Sequence, residues 1–254
     1  MNIVAVANQK GGVGKTTCCI NLAAELGRRG RQVLLADLDP QGNSTSGLGI
    51  DRNSISKSVY DLLLGEASLS DVLVRTPWEG LSLLPATLDL AGAEVELASA
   101  MSRETRLRRA LDGLNGVDIV LIDCPPSLGL LTLNAFVAAS KLLVPIQSEY
   151  FALEGVGQLM RTLKLVRNYL NERLELAGVV LTMQDQRTRL SREVGEEVRR
   201  QFGPLVFETA IPRNVRLSEA PSYGKPVAYY DGSCLGAAAF ADLAGEVEER
   251  WLRH

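Results

Sequence analysis

The 254 residues predict an α/β fold: a mainly parallel, twisted sheet covered by helices on both faces. Two observations predict it. Short runs that are apolar throughout, rather than alternating, recur along the chain, as strands buried on both faces require. Segments with apolar residues at helical spacing separate those runs, and strand–helix–strand order builds parallel sheets. No repeat, low-complexity run or Pro/Gly/Ser-rich linker interrupts the pattern, so a single domain over residues 1–254 is expected.

Residues 2–7 (Asn-Ile-Val-Ala-Val-Ala) read as the first strand. Residues 15–29 read as a helix, with Ile20, Leu22, Ala23 and Leu26 at helical spacing and Gly30 as its stop. A second apolar strand over 32–36 ends in Asp37-Leu-Asp-Pro40, and the polar, Gly-rich stretch 41–58 is expected to be a mobile loop. Helices at 59–64 and 103–114 flank a short strand at 81–84. Residues 117–122 form a nearly all-apolar strand running into Asp123-Cys-Pro-Pro126. Further buried strands are expected at 141–146, 176–181 and 205–211. Helices at 155–170 and 190–201 separate them, and a last helix covers 236–252.

Hydrophobic residues at 46 % and charged residues at 22 % are ordinary for a soluble globular chain. A net charge of −3 excludes a protein that coats nucleic acid by bulk charge, but leaves room for a local basic face. No run of 18 apolar residues exists to span a membrane. The N-terminus enters its first strand without a basic region or cleavage site, so no signal peptide is expected. Cys18, Cys19, Cys124 and Cys234 lack CxxC spacing, and the single histidine is His254, so reduced, buried or half-buried thiols are expected rather than zinc.

Chemistry concentrates in Gly11-Gly-Val-Gly-Lys-Thr-Thr17. Glycines let backbone N–H groups approach phosphate oxygens, and the following helix adds its positive end. Lys15 suits β- and γ-phosphate charge, the Thr16 hydroxyl suits Mg²⁺, and Thr17 suits the α-phosphate. A metal on such a loop needs a carboxylate at the end of a neighbouring strand, the position of Asp123. Asp37 and Asp39, two residues apart, are expected on one side of the chain, facing the γ-phosphate, where a carboxylate orients or deprotonates water. The loop departs from the usual pattern in one respect: Gln9 replaces its first glycine, and a second lysine, Lys10, follows.

Four stretches together resemble the ParA/Soj chromosome- and plasmid-partitioning ATPases, of the deviant Walker A (MinD/ParA) group of P-loop NTPases. They are Lys10-Gly-Gly-Val-Gly-Lys-Thr-Thr17, Asp37-Leu-Asp-Pro-Gln-Gly-Asn43, Leu121-Ile-Asp-Cys-Pro-Pro126 and Ile211-Pro-Arg-Asn-Val-Arg-Leu-Ser-Glu-Ala-Pro221. The resemblance runs from about residue 2 to 248. It implies a cytoplasmic, nucleoid-associated, slow ATPase that binds ATP and Mg²⁺ and closes a homodimer around two nucleotides. In that dimer Lys10 reaches the phosphates bound by the other subunit. Asp39 orients the hydrolytic water, Asp123 holds Mg²⁺ through water, and Pro212 and Asn214 border the adenine. The dimer binds double-stranded DNA without sequence preference, and a ParB/Spo0J-like centromere-binding protein stimulates hydrolysis. Cys18-Cys19 stands where relatives often carry small polar residues, a matter of local packing alone.

Between residues 187 and 216 the chain has seven arginines against four glutamates. Arg187, Arg189, Arg213 and Arg216, with Arg192, Arg199 and Arg200, are the candidate DNA-binding stripe; a solvated helix face is the plainer alternative. A second basic stretch, 103–109, reads as solvated helix surface. Three competing readings stand beside this one. A membrane-cycling relative of the MinD type needs a basic amphipathic tail, whereas residues 241–254 are acidic through their middle and suit a core-packed helix. An iron–sulfur ATPase needs a second cysteine near Cys124. A small-molecule kinase or synthetase needs an acceptor pocket. With the phosphate loop starting at residue 8, no helix-turn-helix extension precedes it, which fits the short type without operator specificity.

Overall fold

The computed structural model describes residues 2–149, 154–185 and 187–252, so His254 and the end of the predicted tail lie outside it. The elements are, in order, β1 (Asn2–Val6), α1 (Lys15–Arg28), β2 (Val33–Asp37), α2 (Asn43–Gly47), α3 (Val59–Leu64), α4 (Leu69–Val72), β3 (Val74–Arg75), β4 (Leu81–Leu84) and α5 (Leu90–Glu96). Then come α6 (Arg106–Leu111), β5 (Ile119–Asp123), α7 (Leu130–Ala138), β6 (Lys141–Gln147), α8 (Glu154–Tyr169), β7 (Glu175–Thr182), α9 (Arg189–Phe202), α10 (Val215–Glu219), α11 (Val227–Tyr230) and α12 (Leu235–Val247).

Seven strands pair in the order β3-β4-β2-β5-β1-β6-β7. Only the β3–β4 pair is antiparallel. The fully buried strands β2 and β5 explain the continuous apolar runs, since each is covered on both faces. One face packs Leu63, Leu107, Phe136, Leu159 and Val198 from α3, α6, α7, α8 and α9. The other packs Ile20, Leu22 and Leu26 of α1 against Phe240 and Leu243 of α12. Register places the strand ends that matter side by side: Val6 opposite Asp123, and Asp37 opposite Asp123.

Four expectations are corrected. Residues 205–211 are not a strand. Phe207 N–H donates to Val179 O at 2.9 Å and Ile211 N–H to Leu181 O at 2.8 Å, but between them the N–H groups of Glu208 and Thr209 turn to the Glu246 carboxylate. The ladder is interrupted by a side chain that satisfies its donors better. Residues 41–58 are not a structureless loop either. They hold α2, a 3-10 turn at Arg52–Ser54 and the fully buried Ser44, Thr45 and Leu48. The helix expected over 103–114 begins as a 3-10 turn and stops at Leu111, because Asp112 is extended and Gly113 follows at φ +87°. Finally α7, absent from the sequence reading, occupies 130–138; it is buried on most sides and so lacks an amphipathic period.

The final helix is core-packed as expected. Beyond α12, Trp251 is 6 % exposed and meets the Phe207 ring edge-on at 5.7 Å. Among the described residues no helix is long and apolar enough to cross a membrane.

Candidate nucleotide site

The phosphate loop spans the turn from β1 to α1, and its shape follows from its glycines. Gly12 (φ +74°) and Gly14 (φ +88°) adopt left-handed backbone that side chains disfavour. A Cβ on Gly11 or Gly12 would meet nothing within 4 Å, so the loop stands off from the protein as an open cradle. It is anchored on both sides. Asn8 Nδ2 donates to Pro145 O at 2.7 Å while its Oδ1 accepts Lys10 N–H at 3.1 Å. Val13 is buried, and its carbonyl accepts the Thr182 hydroxyl at 2.8 Å.

Lys15 is 7 % exposed and its Nζ donates to Lys10 O at 3.2 Å, closing the loop on itself. Burial lowers its pKa, and the charge of Asp123 works in the opposite direction. Asp123 is fully buried at the end of β5. Its Oδ2 accepts the hydroxyls of Thr16 and Ser44, each at 2.8 Å, while its buried Oδ1 has no partner. Burial pushes this carboxyl up to about 6, against the two hydroxyls. An orphaned buried oxygen beside the Thr16 hydroxyl is the donor set a hard divalent cation needs, so these residues fit Mg²⁺.

The paired aspartates divide. Asp37 does not face the loop as expected: it is fully buried and accepts Thr45 N–H at 2.8 Å, the Thr45 hydroxyl at 2.7 Å and Asp39 N–H at 3.2 Å. Burial, then the nearby Asp123, push its carboxyl up to about 8. Asp37 therefore pins the chain after β2, and Asp39, 8 % exposed with one oxygen on Gln41 N–H, is the carboxylate left at the surface of the site. Period-two spacing implies one shared side only while a strand continues, and β2 ends at Asp37.

A cavity of about 530 Å³ joins Gly14, Thr16 and Thr17 to Pro212, Asn214 and Phe240, so the loop and the Pro-Arg-Asn stretch share one recess. Asn214 also caps α10, its Oδ1 accepting Arg216 N–H at 2.9 Å. Lys10 lies outside this recess, with its Nζ 3.7 Å from Glu149. Sequence reasoning missed Ser44, Thr45, Glu149 and Thr182. Ser44 and Thr45 directly follow Asn43 of a quoted motif, a signal obscured by their polarity; Glu149 and Thr182 arrive only through the tertiary fold.

The four leading candidate DNA arginines are exposed, and each has a carboxylate already. Arg187 pairs with Asp185 at 2.8 Å, Arg189 with Glu193 at 2.7 Å and Arg213 with Glu149 at 3.6 Å. Arg216 pairs with Glu219 at 2.8 Å and Asp231 at 3.2 Å. Arg199 leaves the expected stripe, because its guanidinium donates to the carbonyls of Phe207 and Glu208. Cys18, Cys19 and Cys124 are buried free thiols, Cys234 is half-buried, and burial pushes Cys18 up to about 12.

A family model described as "AAA domain" matches residues 1–176. The Bacillus subtilis sporulation initiation inhibitor protein Soj is 53 % identical over 246 residues, covering 96 % of this chain and 97 % of that protein. The Caulobacter vibrioides chromosome partitioning protein ParA is 53 % identical over 253 residues, covering 98 % and 95 %. Among solved structures, a Mycobacterium smegmatis protein described as cobyrinic acid a,c-diamide synthase, with bound ATP analogue and magnesium, is similar with a TM-score of 0.87. It is 43 % identical, covering 100 % of this chain and 96 % of that one.

Proposed function

The chain belongs to the ParA/Soj family of P-loop ATPases, and from that premise we propose that it is an ATP-dependent dimerising switch for chromosome or plasmid segregation. It works as one ATPase domain over residues 1–254, cytoplasmic and associated with the nucleoid. The observation that carries this reading is Lys10: beside the buried Lys15 the loop carries a second, half-exposed lysine whose side chain turns to Glu149.

The substrate is ATP. The N–H groups of residues 11–14 and the start of α1 bind its phosphate oxygens, and Lys15 exchanges its bond to Lys10 O for the β- and γ-phosphates. Thr17 binds the α-phosphate, while Pro212 and Asn214 border the adenine. Thr16 and Asp123, the latter through water, hold Mg²⁺. Bound there, Mg²⁺ supplies positive charge to the β- and γ-phosphates. Asp39 orients the attacking water and takes its proton.

Two ATP molecules facing each other bring about four negative charges each, so the facing sites repel unless each gains a cation from its partner. Lys10 supplies it across the two-fold axis, giving up Glu149 to do so. Hydrolysis removes the γ-phosphate and with it the reason for the dimer. The ATP dimer holds double-stranded DNA through Arg187, Arg189, Arg213 and Arg216, and a ParB/Spo0J-like centromere-binding protein stimulates hydrolysis to release it.

Sedimentation with ATP and Mg²⁺ tests this: wild type dimerises, while Lys10→Ala binds ATP and stays monomeric. A wild-type chain that stays monomeric with ATP bound would sink the reading. The name of the M. smegmatis protein favours a second reading, ATP-driven synthesis on a small-molecule acceptor. ATP-dependent dimerisation and DNA retention without any acceptor separate the two.

A further inference from the structure

Six cations run from the middle of α8 to the end of the sheet opposite the nucleotide. Arg108 and Arg109 end α6; Arg161, Lys164 and Arg167 follow one another at three-residue spacing on α8; Arg173 precedes β7. All six are exposed, and among the described residues none makes an ion pair or a side-chain hydrogen bond. This sets them apart from the arginines of residues 187–216 named above, every one of which has a carboxylate or carbonyl partner except Arg192.

The fold gathers them. Arg108, Arg167 and Arg173 line one recess of about 680 Å³ together with Ser140, Asn168, Asn171 and one carboxylate, Glu172, so cations outnumber anions there by three to one. Ser140 and Arg173 stand just before β6 and β7, so the recess opens at the N-terminal edge of the sheet. The eight residues of β7 separate it from Arg187 by about 26 Å.

Helix ends do not account for this charge. Each helix C-terminus presents about half a negative charge, so α6 and α8 together offset roughly one of six cations. The last carbonyls of α7 need no arginine, because Asn171 Nδ2 donates to Phe136 O at 2.9 Å and to Ala139 O at 2.6 Å. The main apolar face of α8, Val156, Leu159, Leu163 and Val166, is buried in the protein. That leaves Leu165, Tyr169 and Leu170 as the exposed apolar side chains beside the cations, fewer than the continuous apolar face a lipid-docking helix presents. Unpaired cations around a polar recess and along a helix suit a regular row of phosphates.

We propose that this N-terminal edge of the sheet binds the phosphate backbone of double-stranded DNA, as a second surface remote from residues 187–216. The inference rests on the reading of the protein as an ATP-dependent DNA-binding dimer. A dimer with both surfaces holds two duplex segments at once.

The test compares DNA affinity of the full chain with ATP and Mg²⁺ across a salt series, for wild type, Arg108→Glu/Arg167→Glu/Arg173→Glu and the charge-preserving lysine triple. Dimerisation is followed in parallel by sedimentation. The reversed triple should dimerise normally and flatten the slope of log affinity against log salt by about 2 to 3, and the lysine triple should keep the slope. If the reversed triple fails to dimerise, the glutamine triple should show the same flattening. An unchanged slope in a dimerising triple overturns the second surface and leaves the partition reading intact. A wild-type ATP dimer that ignores DNA overturns both. Arginine-dependent pelleting with phosphatidylglycerol vesicles, with an unchanged DNA slope, moves the surface to lipid and overturns the proposal.

Discussion

The two ends of the sheet treat charge in opposite ways. At the C-terminal end nearly every ionisable group already has a partner: Lys15 on a carbonyl, Asp37 on Thr45, Asp123 on two hydroxyls, Lys10 and Arg213 both on Glu149. Toward the N-terminal end six cations have no ion-pair or side-chain hydrogen-bond partner among the described residues. Partnered groups hold a fixed geometry until a ligand displaces the partner, which is what a switch requires. Unpartnered cations have no partner to give up, so dimerisation alone, by doubling their number on one particle, can set how strongly they hold a polyanion. The contrast separates a site whose partners ATP displaces from an edge whose cations displace nothing.

Lys15→Ala sharpens that contrast most. Removing the buried cation from the phosphate loop should weaken ATP binding by at least about thirtyfold in equilibrium titration, since truncating one member of a buried charge pair costs about 2–5 kcal/mol. Retained ATP affinity would remove the loop from the nucleotide site. Thr45→Val comes next. It keeps the shape but deprives Asp37 of a hydroxyl and Ala86 N–H of its acceptor, so chemical denaturation should show a loss of about 1–3 kcal/mol. No loss would mean that Asp37 does not depend on α2 for its burial. The smallest effect belongs to Asp185→Asn, which frees Arg187 and should strengthen DNA binding of the ATP form a few-fold at low salt, surface pairs being worth about 0–1 kcal/mol. Unchanged affinity would take Arg187 off the DNA face.

The same contrast explains what the sequence made legible. The phosphate loop is local: glycines, lysines and threonines within eight residues dictate its shape, and β1, α1, β2 and β5 follow from continuous apolar or periodic runs. Where a tertiary partner decides, the reading failed. Glu246 takes two N–H donors from residues 205–211 and interrupts a strand that composition favours. The stretch 41–58 looked mobile because it is polar, yet Ser44 and Thr45 are buried through the carboxylates they bind. Arg108 and Arg167 lie far apart in sequence, and only the packing of α6 and α8 around α7 brings them to one recess.

The most direct test of the central claim is sedimentation of the Asp39→Ala chain with ATP and Mg²⁺, with and without non-specific duplex DNA at low and moderate salt. Without the carboxylate that activates water, hydrolysis should fall by about 10²–10⁴ and the ATP dimer should accumulate and bind DNA in a salt-sensitive way. A chain that binds ATP but remains a monomer, with DNA and without it, would contradict the account.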